Sequence, residues 1–278
     1  MTPSSDGCDD SMTLRQSMNA VVVAHPDDEA LWLSSVVTSV ERIVFGFGAV
    51  FDEPGRSQAR RQAVAALPLS GIVNLEIPES GVHWKSYQTQ PELTPSGVKI
   101  SESPVRERYE SNYARLLEGL RASLSGCQDV YTHNPWGEYG HPEHIQVYSA
   151  VTALQEELGY TVWFSNYVGA RNWTFVRGLA ERLSWARRRV VKPDLVAARA
   201  LMQVYRRYGA WTWTSAHRWP AHEVMYAQPP DSSPDLRHLF SGERLLDVGR
   251  LRWWPPPWRS PWRLLGQPHE PRGHALPF

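Results

Sequence analysis

The chemistry of this chain is concentrated in two short stretches. In the first, the apolar run Val21-Val22-Val23-Ala24 stops at His25-Pro26-Asp27-Asp28-Glu29. A β-branched run of this kind reads as a buried strand, and a helical pattern begins at Glu29. One imidazole and two carboxylates thus crowd the point where a strand hands over to a helix, the edge of a parallel sheet at which ligands bind. Such groups repel or desolvate one another unless a positive charge sits among them, and a divalent metal supplies one. The competing reading is that the acids cap the helix N-terminus, where negative charge is favourable.

In the second stretch, Val130-Tyr131-Thr132 leads into His133-Asn134-Pro135-Trp136-Gly137-Glu138-Tyr139-Gly140-His141-Pro142-Glu143-His144. His141 and His144, three residues apart on a first helical turn, can point the same way. They meet the first set only if the two strands lie close in one sheet.

The two motifs together, in this order and each after a strand, resemble the LmbE/PIG-L family of zinc-dependent N-acetylglucosaminyl deacetylases. The resemblance covers roughly residues 18–165 and is faint beyond. It implies a zinc site made by His25, Asp28 and His144, with a position left for water; the same donors accept iron or cobalt. It implies Asp27 as general base, and as later acid to the leaving amine. His141, outside the ligand set, would steady the developing oxyanion as an imidazolium, with Tyr139 donating its phenol hydrogen. Helix entry for His141 and packing for Tyr139 are the plainer alternatives. Glu29 reads as a supporting residue, and His133 as a partner that orients a ligand.

Substrate contacts are expected from Arg61, Glu79 and Trp136. Arg61 sits where the family often has Arg followed by Glu, about ten residues before a Gly that Gly71 matches. This chain has Gln62 in place of that Glu. Glu79, after the third strand, is placed to meet sugar hydroxyls.

The elements that must position these groups alternate. Strands are expected over 19–24, 42–47, 72–77, 129–132 and 161–165. Helices are expected over 29–40, 57–67, 104–124, 141–158 and 194–208, with a long loop over 81–102. Alternation of this kind predicts an α/β, Rossmann-like, mostly parallel sheet with helices on both faces. Residues 1–17 read as a mobile tail, 18–210 as the deacetylase-like domain, and 211–278 as an irregular extension packed near the active-site side. The extension holds Trp253, Trp254, Trp258 and Trp262 around a proline run that excludes helix. It reads as a covering arm, as an aromatic-ligand surface, or as a peripheral membrane contact.

Composition narrows the classes. The 278 residues carry a formal net charge of zero, which argues against a general nucleic-acid binder. The two cysteines, Cys8 in the tail and Cys127 in a Gly-containing loop, give no disulfide framework or metal spacing. No signal-peptide pattern opens the chain, and no run approaches the roughly 18 apolar residues of a membrane span, so the expected location is cytoplasmic, with membrane association through the extension. The expected activity is hydrolysis of an N-acetyl or N-acyl group on an amino sugar. The expected partner is a small glycosylated molecule such as a glycopeptide antibiotic. A zinc amidase on a non-sugar amide, and a carbohydrate- or membrane-binding module with a structural metal, are the alternatives.

Overall fold

The computed structural model describes residues 18–87, 91–179, 184–185, 187–228, 230, 237–238 and 245–248. The tail over 1–17 and the Trp/Pro segment over 251–278 lie outside them. In chain order the elements are β1 (Met18–Val23), α1 (Asp28–Trp32), β2 (Arg42–Phe45), α2 (Pro54–Ala65), β3 (Ile72–Asn74), β4 (Leu93–Thr94), β5 (Gly97–Val98), α3 (Ser103–Leu124), β6 (Cys127–Thr132) and α4 (Gly137–Gly140). There follow α5 (Pro142–Leu158), β7 (Thr161–Ser165), β8 (Tyr167–Val168), α6 (Trp173–Leu179), β9 (Ser184–Trp185), β10 (Arg187–Val191), α7 (Leu195–Arg207), β11 (Glu223–Gln228), β12 (Arg237–His238) and β13 (Leu246–Asp247).

Seven strands form the central sheet in the order β10-β11-β7-β6-β1-β2-β3. The five from β7 to β3 run parallel, while β11 and β10 join antiparallel. The fold is the expected mostly parallel α/β sheet. Because β1 has β2 on one side and β6 on the other, the chain leaves it in one direction and returns on the opposite side. A crevice opens at that switch, beyond the carboxyl ends of β1 and β6. Both motifs begin there.

The strands alternate between two layers. Val21 and Val23 face a cluster with Leu31, Trp32, Val64 and Tyr205. Ala20, Val22 and Ala24 face the other, with Leu116 and Leu120 of α3 and Val147 and Val151 of α5. Val21, Val22 and Val23 are fully buried, and each such side chain stabilises the fold by roughly 1.5–3 kcal/mol. Two buried faces explain why β1 is an unbroken apolar run.

Several boundaries differ from expectation. The helix expected over 29–40 ends at Trp32; Val36 and Val37 are buried as their spacing suggests, but residues 33–39 form successive turns closed on the Leu33 and Val36 carbonyls. The third strand stops at Asn74, and Glu76 just beyond it takes a left-handed backbone (φ 50°) that no strand accommodates. The loop over 81–102 contains a small β4–β5 hairpin. Cys127 is buried at the start of β6 rather than lying in a loop. The division at 210/211 also fails, because β11 pairs with β7 inside the central sheet.

Candidate metal centre

The turn after β1 gathers the first set of groups. Asp27 adopts φ 111°, a conformation disfavoured for a side chain with Cβ. It is held by the Ala30 and Leu31 amides on its carbonyl and by its own N–H donating to Glu29 Oε2 at 3.2 Å. Backbone strain at a titratable residue is a mark of a functional site. Asp28 Oδ2 accepts the His25 amide at 2.8 Å and lies 3.2 Å from His25 Nδ1. Trp32 Nε1 donates to Asp28 Oδ1 at 3.0 Å and fixes the carboxylate plane. Glu29 is buried, with Tyr205 of α7 donating to its Oε1 at 2.8 Å.

The second set arrives over the top of β6. His133 Nε2 accepts the Ala24 amide at 2.8 Å, and its Nδ1 lies 3.0 Å from Glu138 Oε2. The imidazole is thereby tied to both strands. Glu138 has φ 51°, and the turn that carries it is clasped from outside. Gly169 N donates to the Glu138 carbonyl at 2.7 Å, and Asn172 Nδ2 reaches the carbonyls of Trp136 and Glu138. A Cβ on Gly169 would stand 2.9 Å from Tyr139 Cα, so only glycine permits this approach. Glu138 Oε2 also meets His144 Nδ1 at 2.6 Å, which turns His144 Nε2 toward Asp28 Oδ2, 3.3 Å away.

Among the described residues three overlapping sets could hold a cation: His25, Asp28 and His144; His25, His141 and Glu143; and His133, Glu138 and His144. The hydrogen bonds distinguish them. His133 spends both ring nitrogens on protein partners. Glu143 accepts from the Ser80 amide and hydroxyl and meets His25 Nε2 at 2.9 Å. His144 Nε2, by contrast, is buried with no hydrogen-bond partner among the described residues. A buried unsatisfied nitrogen is costly, and this one faces Asp28 Oδ2 with His25 Nδ1 on the other side. The donor set of two imidazoles and one carboxylate suits zinc. The residues therefore fit a metal held by His25, Asp28 and His144. Glu143 contacts His25 Nε2 and Glu138 contacts His144 Nδ1, the arrangement by which carboxylates orient imidazoles that bind a metal.

Electrostatics separates the two aspartates. Burial alone would raise Asp28, but His144, His133 and His25 outweigh it and hold its carboxyl well below the usual range. Asp27 goes the other way, to about 7, because burial and the adjacent Asp28 outweigh the hydrogen bonds from Thr212. Environments that push neighbouring carboxyls apart assign different roles to them. Burial and the Asp28, Asp27 and Glu138 charges keep the Tyr139 phenol protonated, ready to donate.

Three expectations need correction. For His141 the neutral ring is favoured over the expected imidazolium: burial, with His144 and His25 alongside, pushes its pKa well below the ordinary value. Its Nδ1 accepts the Glu143 amide at 3.3 Å, so the neutral ring carries its proton on Nε2 and is still a donor. Arg61 is exposed and pairs with Glu76 at 3.1 Å. Arg60 is the buried arginine, with Nη1 2.6 Å from Glu79 Oε1, which in turn lies 3.6 Å from His25 Nε2. Trp136 is fully buried and donates to the Tyr167 carbonyl at 2.6 Å, so it offers no face to a ligand.

The chain is 27% identical over 168 residues to the 1D-myo-inositol 2-acetamido-2-deoxy-alpha-D-glucopyranoside deacetylase of Corynebacterium kroppenstedtii. That match spans 50% of this chain and 41% of the relative, so less than half of the relative's length is represented. No protein-family model matches the chain. Among solved structures, a deacetylase of the teicoplanin biosynthesis pathway is covered completely by 80% of this chain, at 12% identity and a TM-score of 0.48. N,N'-diacetylchitobiose deacetylase from Pyrococcus horikoshii is covered over 74% of its length by 71% of this chain, at 12% identity and a TM-score of 0.38.

Proposed function

We propose that the chain is a zinc-dependent hydrolase that removes an N-acetyl or N-acyl group from an amino sugar. The observation that carries this reading is the His144 Nε2 atom, buried, making no hydrogen bond among the described residues and 3.3 Å from Asp28 Oδ2, beside a second aspartate whose carboxyl is tuned to about 7. A closed structural metal site has no use for that second carboxylate. The likeness to an amino-sugar deacetylase supports the same chemistry.

When bound by His25, Asp28 and His144, zinc supplies Lewis acidity and lowers the pKa of a water to about 7. The rest falls to the chain. Asp27 accepts the proton of the attacking water, as a base whose pKa matches neutral pH. His141 Nε2–H and the Tyr139 hydroxyl donate to the oxygen that gains charge as the amide carbonyl becomes tetrahedral. Asp27 then returns its proton to the departing nitrogen, the C–N bond breaks, and a carboxylate and an amine leave. Glu79, partly exposed beside His25 and held by the buried Arg60, is placed to meet sugar hydroxyls.

A glycosylated natural product such as a glycopeptide antibiotic is the substrate class we favour. Its support is the aromatic character of the wall beside Tyr139, where Trp213 packs at 5.1 Å between ring centroids and keeps part of its surface exposed. Among the described residues no helix is long and apolar enough to cross a membrane. The test is direct. The metal-loaded protein is incubated with N-acetylglucosaminides and with glycopeptide pseudoaglycones bearing N-acetylglucosamine, and products are weighed by mass spectrometry. Loss of an acetyl or acyl mass, abolished by chelation and restored by zinc, is the expected result. Intact substrates throughout would refute the reading.

A further inference from the structure

Beyond both motifs, one residue reaches the proposed base. Thr212 lies five positions after α7, in a stretch whose sequence is Tyr208-Gly209-Ala210-Trp211-Thr212-Trp213. Its backbone N–H donates to Asp27 Oδ2 at 2.8 Å, and its hydroxyl donates to the same oxygen at 2.7 Å. No described residue donates a hydrogen bond to Asp27 Oδ1. The two oxygens of the carboxylate are therefore unequal: Thr212 pins Oδ2 twice and does not hold Oδ1.

The pin is itself rigidly held. Gly209 takes a left-handed backbone (φ 70°) that turns the chain sharply out of α7, and the Ala210 amide returns to the Tyr205 carbonyl at 2.8 Å. Trp213 wedges between Trp32 and Tyr139, with ring centroids 5.3 and 5.1 Å away. Trp219 Nε1 closes the far end on the Ala30 carbonyl at 2.6 Å. The same α7 supplies Tyr205 to Glu29, whose Oε2 takes the Asp27 amide. Asp27 is thus gripped at its backbone by α7 through Glu29 and at its carboxylate by the segment that follows. A residue in a strained conformation stays there only when its surroundings over-determine it, and a base works best when held in its reactive orientation beforehand.

We propose that Thr212 is a positioning residue for Asp27: by holding Oδ2 it aims Oδ1 at the attacking water. The proposal rests on the assignment of Asp27 as general base. Nothing in either motif signals it, because Thr212 lies 185 positions away in sequence.

The experiment compares Thr212→Val, Thr212→Ser and Asp27→Asn, alone and with Thr212→Val added to Asp27→Asn. Each is loaded with zinc, assayed for metal content and melting temperature, and followed by amine release from an N-acetylglucosaminide. Thr212 is exposed, so the substitutions leave the core intact. Loss of one hydrogen bond to a charged acceptor predicts a kcat about tenfold lower for Thr212→Val, with KM and metal content little changed. Thr212→Ser should recover most of that loss, and Thr212→Val should cost nothing further once Asp27 is Asn. Wild-type kcat in Thr212→Val would overturn the proposal, as would a loss that serine does not repair or one that persists at full size in the Asp27→Asn background. The base assignment fails separately, if metal-loaded Asp27→Asn turns over at the wild-type rate rather than on the order of 10² to 10⁴ times more slowly.

Discussion

Glu138 Oε2 bridges His144 Nδ1 at 2.6 Å and His133 Nδ1 at 3.0 Å, so one buried carboxylate oxygen sets the orientation of two imidazoles. The two rings stack with centroids 3.9 Å apart, yet their outer nitrogens do different work. His133 Nε2 takes the Ala24 amide and locks β6 to β1, while His144 Nε2 makes no hydrogen bond among the described residues and faces Asp28 Oδ2. The His133 and His144 imidazoles beside it outweigh burial and keep Glu138 ionised, with its pKa lowered to about 2.

Glu138→Gln should therefore weaken the metal site without removing a ligand. Loss of an orienting carboxylate typically costs 10- to 100-fold in metal affinity. A zinc titration against a competing chelator should show that loss, and activity should return at saturating zinc. Unaltered affinity would mean that packing alone holds His144 in place.

Direct ligands behave differently. His25→Ala and His144→Ala each remove one of three donors, and both metal and activity should be lost at ordinary zinc concentrations. Metal content after gel filtration decides the matter. A full equivalent retained in either variant would show that the cation sits in another of the overlapping sets.

His141→Ala separates the oxyanion side from the metal. A neutral donor that acts mainly in the transition state affects kcat more than KM. We expect full metal content and a kcat lower by on the order of 10²-fold, the scale of losing one oxyanion donor. If metal leaves with the His141 ring, the roles of His141 and His144 are exchanged.

The sequence made the framework of this site legible because both motifs follow apolar strands, and adjacent parallel strands bring their carboxyl ends together. His25, Asp28 and His144 converge for that reason. The supporting groups were hidden by backbone geometry. Glu138 sits inside the second motif, but its inward turn depends on φ 51°, which no spacing rule announces. The choice between Arg60 and Arg61 was readable in principle: Ser57, Ala63 and Val64, at three and four residues from Arg60, form the buried face of α2. Thr212 was out of reach, since only the tertiary return of the chain after α7 brings it to Asp27.

A last prediction concerns Glu223, at the start of β11 and away from the metal ligands. It is fully buried beside Ser35 and Tyr167, and neither of its oxygens attains hydrogen-bond geometry among the described residues. Burial raises its pKa to about 7, and Ser35 and Tyr167 pull it back only in part. The sign follows from proton binding. Between the ordinary glutamate range near pH 4.5 and about pH 7, the folded protein holds a proton that the unfolded chain has released. The stabilisation is complete below that window, declines as pH rises through it, and is gone above about pH 7. Its size is on the order of 3 kcal/mol. Glu223→Gln keeps the shape and never ionises. Relative to wild type, it should therefore gain stability between pH 5 and pH 8, with a melting temperature rising by about 5 °C on the scale of a chain this size. Taking the difference between variant and wild type at each pH cancels the other titrating groups. Thermal melts at the two pH values measure it, and an equal offset at both would show that Glu223 does not carry a proton in the native protein.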